Sequence, residues 1–176
     1  MLRRLRQDQG GLAAVEFALL APVMLLIYCG LAEMTMAIMA ERRASHTASV
    51  MADLVAQSPT GSISSAELTD IFSVGGSIMM PFPTTTLKLR VTSVVADTNG
   101  VPRVIWSQGS GLTALSVNTT PSGFPPTLLS AGDSVIQTDV QYNYTSPLRI
   151  TLPNVMGFND TFYLKPRQAV SIAFTG

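Results

Sequence analysis

The sequence predicts an α+β fold: a long amino-terminal helix, transmembrane over part of its length, packed on a small antiparallel β-sheet. Three observations predict it. Phe17 to Ala40 is an apolar run with one charged side chain, Glu33. The run flows without a break into Glu41 to Val55, with neither Gly nor Pro until Pro59, so one helix is expected over residues 12–57. Beyond residue 84 the chain alternates apolar and polar residues in short stretches separated by turn residues, the pattern of half-buried strands.

At about 1.5 Å per residue, Phe17 to Ala40 spans roughly 36 Å, enough to cross a hydrocarbon core of about 30 Å with some tilt. It is too long for a secretory signal peptide, whose apolar part runs about 7 to 15 residues. Arg3, Arg4 and Arg6 precede it and favour a cytoplasmic amino terminus with an exported carboxy-terminal domain, whereas Arg42 and Arg43 argue mildly the other way. Pro22 lies inside the run, where it deletes one backbone hydrogen bond and crowds the carbonyl of Ala18, so a kink or local melting is expected.

Composition limits the rest. The chain has 176 residues, 47% hydrophobic and 12% charged, which allows one membrane segment and one modest domain of roughly 100 residues, not a multidomain enzyme. Eleven basic residues balance eleven acidic ones; the leader holds three arginines against Asp8, so eight basic and ten acidic residues follow it. No basic face for nucleic acid is implied. The single cysteine, Cys29, lies in the apolar run and excludes an intrachain disulfide. Many Thr, Ser and Asn with few Lys and Glu suit a periplasmic or extracellular β-rich domain.

The junction at residues 10–16 carries the chemistry. A short basic leader (residues 1–11) ends at Gly11, and Leu-Ala-Ala-Val-Glu16 opens the apolar run, so the junction reads as a processing site. Gly11 has no side chain to block a protease, and a cut after it would create an amino terminus at Leu12 with Glu16 fifth in the mature chain. A carboxylate there can pair with the free ammonium of Leu12 on a neighbouring subunit; alternatively Glu16 is a first-turn acid complementing the helix dipole. Glu33 lies about 25 Å further up the helix, near the outer interface, and is expected to be a solvated or partner-facing acid.

This arrangement resembles type IV prepilins. The string Gly11-Leu-Ala-Ala-Val-Glu-Phe-Ala-Leu-Leu-Ala-Pro-Val-Met-Leu-Leu, with Gly30-Leu-Ala-Glu33 near the end of the segment, is similar to the opening of TadE-like proteins of the tight adherence pilus machinery. The Trp106 hairpin and Tyr142-x-Tyr144-x-x-Pro147-Leu148 resemble their later part less specifically. The resemblance implies a pilin-like fold and a pseudopilin or minor pilin of a type IVc-like pilus, cut after Gly11 by a prepilin peptidase and needed for pilus assembly and surface adhesion. It implies assembly roles for Glu16, Phe17 and Pro22. Its implied partners are the prepilin peptidase, the major pilin and other pseudopilins, an inner-membrane assembly platform and the lipid bilayer. Its implied location is the bacterial inner membrane, single-pass, with the amino terminus cytoplasmic. The competing reading is an uncleaved single-pass protein whose exported domain binds a surface or partner.

In that domain, residues 58–83 are expected to hold a linker and a short helix opened by the capping box Ser64-x-x-Glu67 and ending near Gly75-Gly76. Ile78, Met79 and Met80 form an apolar patch expected beneath the long helix. Residues 84–176 are expected to form the antiparallel β domain: Thr84 to Ala96 and Val101 to Ser107 as a hairpin, Ser134 to Tyr144 as a further strand, and Thr161 to Leu164 with Ala169 to Phe174 closing the sheet. Trp106 is either an adhesive, ligand-stacking interface residue or a packing residue. Residues 108–132 read as a long surface loop and the best candidate for a subunit-specific contact.

No catalytic constellation is visible. The only histidine, His46, sits on the long helix among Ser45, Thr47 and Ser49, which reads as helix surface. There is no Cys/His cluster for zinc, no phosphate-cradling loop and no calcium loop; nothing in the spacing of Asp133, Asp139 and Asp160 demands a metal. The chain is therefore expected to be non-enzymatic, without cofactor or metal.

Overall fold

The computed structural model describes residues 10–152 and 154–176. The basic leader up to residue 9 lies outside the described residues. Helix α1 runs Gly10–Ala56 and is helical through Pro22, so the local melting expected there does not occur. The ring costs one intrahelical bond, and the rest of a 47-residue helix holds the geometry on both sides.

The chain divides into two compact units. One contains α1 as far as Ile38 together with Thr145–Met156; the other contains Met39–Tyr144 and Gly157–Gly176. The sequence of α1 changes character at the same place. Up to Ile38 the large apolar side chains, among them Phe17, Leu25 and Leu31, are exposed. From Ala40 onward one stripe is buried: Ala40, Ala44, Ala48, Met51, Ala52 and Val55, at the three-to-four-residue spacing that puts side chains on one helix face.

In the second unit a short strand β1 (Ser62–Ser64) leads into helix α2 (Ser65–Ile78) and pairs in parallel with β6 (Ala173–Thr175). The expected capping box forms. Ser64 Oγ accepts from the Glu67 backbone N–H, and the Glu67 carboxylate accepts from the backbone N–H and hydroxyl of Ser64. Those bonds, the backbone one foremost, hold the Glu67 carboxyl below the ordinary value of 4.5. A group lowered on folding stabilises fully above its unfolded value and loses that contribution as pH falls through the folded one. The start of α2 should therefore loosen on acidification below about pH 4.5 in the wild-type chain, read as amide exchange at residues 65–68, and a Glu67→Gln variant should show no such step.

Helix α2 does not stop at Gly75-Gly76. A Cβ on Gly75 would lie 3.0 Å from Leu89 Cδ1 and from Met51 Sδ, so the glycine is the point where α2 approaches both α1 and the sheet. Its role is close packing rather than termination. The Arg43 guanidinium donates to the Ile78 carbonyl at 2.9 Å, tying α1 to the end of α2. Of the apolar patch that follows, Met79 is fully buried, whereas Met80 is exposed and does not belong to the core.

The main sheet has the order β3-β2-β4-β5, built from β2 (Lys88–Ala96), β3 (Pro102–Ser110), β4 (Ser134–Tyr144) and β5 (Met156–Leu164). Strands β2 and β3 form the expected hairpin, with a bulge between Ser93 and Val94, and β2 pairs antiparallel with β4 from Lys88↔Gln141 to Val95↔Ser134. The expected closing strand at 169–174 does not close this sheet: it shortens to β6 and pairs in parallel with β1 instead.

Both faces of the central strands are covered, although their alternation predicts only one. Leu89 meets α2 at Gly75, while Val94, Ala96 and Val135, on the other face of the pleat, pack with Leu129 and beneath Phe124, Leu128 and Tyr163. The segment after β3 supplies that second cover. It also pairs with β3 through Asn118 N–H to Val104 O and Val104 N–H to Thr119 O, both 2.9 Å. Much of what reads in sequence as a free surface loop is thus a lid on the sheet.

Candidate functional site

The residues at the processing junction lie in the first turns of α1. Gly11, Leu12, Glu16, Phe17 and Pro22 are all exposed. A Cβ on Gly11 would meet nothing within 4 Å, so packing does not call for glycine there. An 18-residue window of this helix has a mean hydropathy of 2.2 with none of it buried, unlike the core helix of a globular domain. It is long and apolar enough to cross a membrane. Among the described residues Glu16 makes no hydrogen bond or ion pair.

Glu33 is the opposite case, and here the structure corrects the expectation of a solvated or partner-facing acid. It is fully buried in its own unit. Its Oε1 accepts from the Ser146 hydroxyl at 2.7 Å and the Ile150 backbone N–H at 2.9 Å. Its Oε2 accepts from the Thr151 backbone N–H at 2.8 Å, the Thr151 hydroxyl, and the Leu152 N–H at 3.0 Å. Five donors thus surround one carboxylate with no cation among them, which meets the hydrogen-bond demand of a buried charge.

Local backbone chemistry builds this cradle. Arg149 has φ +53°, in the left-handed region, and the turn there brings the successive N–H groups of residues 150–152 together as an anion-binding nest. Gly30 completes the fit one helical turn below Glu33. A Cβ on Gly30 would lie 3.4 Å from Thr151 Cγ2, an ordinary van der Waals contact, so Thr151 seats directly over this turn of the helix. The Gly30-x-x-Glu33 spacing puts both on one face of α1, where the loop lies against Gly30 and Glu33 binds it.

The sequence gives no local signal for this assembly, because the donors lie 113 to 119 residues from Glu33. The one available hint is chemical: an isolated carboxylate in an apolar helix must find donors somewhere.

Trp106 is likewise corrected as an interface candidate. It is 6% exposed, its Nε1–H donates to the Ile172 carbonyl at 2.7 Å, and its ring lies 5.7 Å from that of Phe174. Asp139 is held by structure also: it pairs with Arg90 at 2.8 Å and accepts from Gln137 Nε2 and the Thr161 hydroxyl. Among the described residues no group of three or more His, Cys, Asp or Glu side chains is arranged to hold a metal ion. His46 is exposed on α1.

Neither the curated proteins nor the solved structures give a match to this chain. Residues 11–53, which contain the Gly11 junction, Glu16, the Gly30-x-x-Glu33 pair and most of α1, match the family model of TadE-like proteins.

Proposed function

We propose that the chain is a pseudopilin or minor pilin of a tight adherence pilus. A prepilin peptidase cuts it after Gly11 at the cytoplasmic face, and it enters the pilus or its assembly platform through the exposed part of α1. The observation that carries this reading is the contrast between the two glutamates of the helix. Glu33 is satisfied by its own chain, whereas Glu16 lies on an unburied apolar helix without a partner among the described residues. A carboxylate in that setting calls for a cation from another molecule, and the ammonium of Leu12 on a neighbouring subunit is the one that processing would create.

Gly11 supports the same reading. Glycine disfavours a helix by about 1 kcal/mol relative to alanine. Since nothing packs against the position, its value lies in access by a protease backbone. The apolar segment then remains on the subunit, first as a membrane anchor and later as the surface that packs in the bundle of helices. The partners are the peptidase, the other pilins and the inner-membrane platform, with the sheet domain on the exported side. The second reading, an uncleaved anchored protein that binds a surface through its exported domain, loses the Trp106 side chain as its recognition group, because that ring is packed inside.

The test is the amino terminus of the membrane-extracted protein. A terminus at Leu12, lost in a Gly11→Val variant or in cells without the peptidase, is expected; a terminus that stays at Met1 sinks the proposal. Glu16→Ala is expected to be cleaved normally yet to lower incorporation into pili at least tenfold, since an unpaired buried ammonium costs about 3 to 5 kcal/mol. Normal incorporation of that variant would remove the charge-pairing role.

A further inference from the structure

The segment that binds Glu33 has a second face. Pro147, Leu148, Arg149 and Ile150 are all exposed, as is Val155, although three of the five are large aliphatic residues, 44% to 57% exposed. The helix residues around its docking stripe, Leu31, Met34 and Ile38, are exposed apolar side chains of the same unit. The segment thus adds exposed aliphatic side chains beside an apolar helix, with Thr145, Thr151 and Asn154 as its exposed polar residues and Arg149 as its one cation.

Depth decides what that surface meets. If the apolar run enters the bilayer at Phe17, about 30 Å of hydrocarbon is used up after roughly 20 residues, near residues 36–37. Glu33 and Gly30 then lie about 5 and 10 Å below the outer edge of the core, the depth that interfacial segments reach, and the loop docked on them lies at the same level. Unpaired N–H groups are costly at that level, so those of the loop call for an acceptor within the protein. The Glu33 carboxylate is that acceptor for the N–H groups of Ile150, Thr151 and Leu152, and those groups satisfy the carboxylate in turn. Each would be costly at this depth without the other.

We propose that residues 147–152, together with Val155, form a second membrane contact. Latched to α1 by Glu33 and Gly30, the loop lays Leu148, Ile150 and Val155 into the outer interfacial layer of the bilayer that α1 crosses, with Arg149 reaching lipid phosphates. This rests on the membrane-spanning reading of α1. The occupant is lipid rather than a second copy of the chain because the loop shares the level and the apolar character of a spanning helix, and because its one charge is complementary to phosphate.

The experiment uses the full chain carrying Cys29→Ser, with a single environment-sensitive fluorophore on Ile150→Cys, Leu25→Cys or Asn99→Cys, in vesicles of phosphatidylcholine and phosphatidylglycerol. Asn99, in the exposed turn between β2 and β3, reports water. Lipids bearing a nitroxide near the top of the acyl chain are expected to quench the Ile150 probe by at least half. Aqueous iodide should quench it several-fold less than the Asn99 probe. An Ile150 probe as open to iodide as that at Asn99, with the Leu25 probe in lipid, overturns the loop contact and leaves the spanning helix standing. Shielding of Ile150 from both quenchers means a protein contact instead and also overturns it. A Leu25 probe that iodide reaches and that lipids bearing the nitroxide near the end of the acyl chain do not, removes the spanning helix itself, and this inference with it.

Discussion

Glu33→Ala is expected to release the 145–155 segment from α1, so that trypsin cuts after Arg149 at least tenfold faster than in the wild-type chain in detergent micelles. The reason is the imbalance the substitution creates. Five donors converge on one carboxylate, and three of them are backbone N–H groups that cannot be removed by repacking. Deprived of an acceptor, they regain hydrogen bonds only by moving out to water, and the loop moves with them. Glu33→Gln should act in the same direction more weakly. It keeps one acceptor oxygen but turns an amide donor toward N–H groups. Cleavage after Arg103, in β3, serves as the internal reference and should be unchanged. Equal rates of cutting after Arg149 in wild type and Glu33→Ala would show that the carboxylate does not hold the loop.

Trp106→Ala is expected to lower the unfolding free energy of the full chain by about 3 to 5 kcal/mol, the range for emptying a large aromatic from a core. Circular dichroism through a denaturant titration is the suitable readout, since the substitution removes the only tryptophan. Two losses add: the packed ring against Phe174, and the donor to the Ile172 carbonyl, whose residue is fully buried. Trp106→Phe separates them by keeping a ring and deleting the donor, at an expected cost of about 1 to 3 kcal/mol. A loss under about 1 kcal/mol for Trp106→Ala would put the ring outside the core and revive it as a recognition group.

The two residues differ in how legible they are in the sequence. Trp106 stands in a strand of alternating residues, so the sequence leaves both an inward and an outward reading open, and only the arrival of Ile172 and Phe174 from the far end of the chain decides between them. Glu33 reads from its helix alone as an acid at a membrane edge. What it binds comes from the connection between β4 and β5, which no spacing near Glu33 announces.

Elements governed by near neighbours along the chain were open to the sequence. The length and apolarity of α1, the Ser64–Glu67 capping box and the β2–β3 hairpin depend on residue types a few positions apart, because helix bonds, caps and tight turns close over that range. The resemblance of residues 11–26 to TadE-like openings was open for the same reason, being a contiguous string. Tertiary structure alone decided that Gly75 is a packing point rather than a helix stop, that the segment after β3 covers a sheet face, and that Gly30-x-x-Glu33 is a seat for a distant loop. Each depends on which remote segment fills a space or satisfies a charge, and that is set by the whole chain's burial and hydrogen bonding, not by any local pattern.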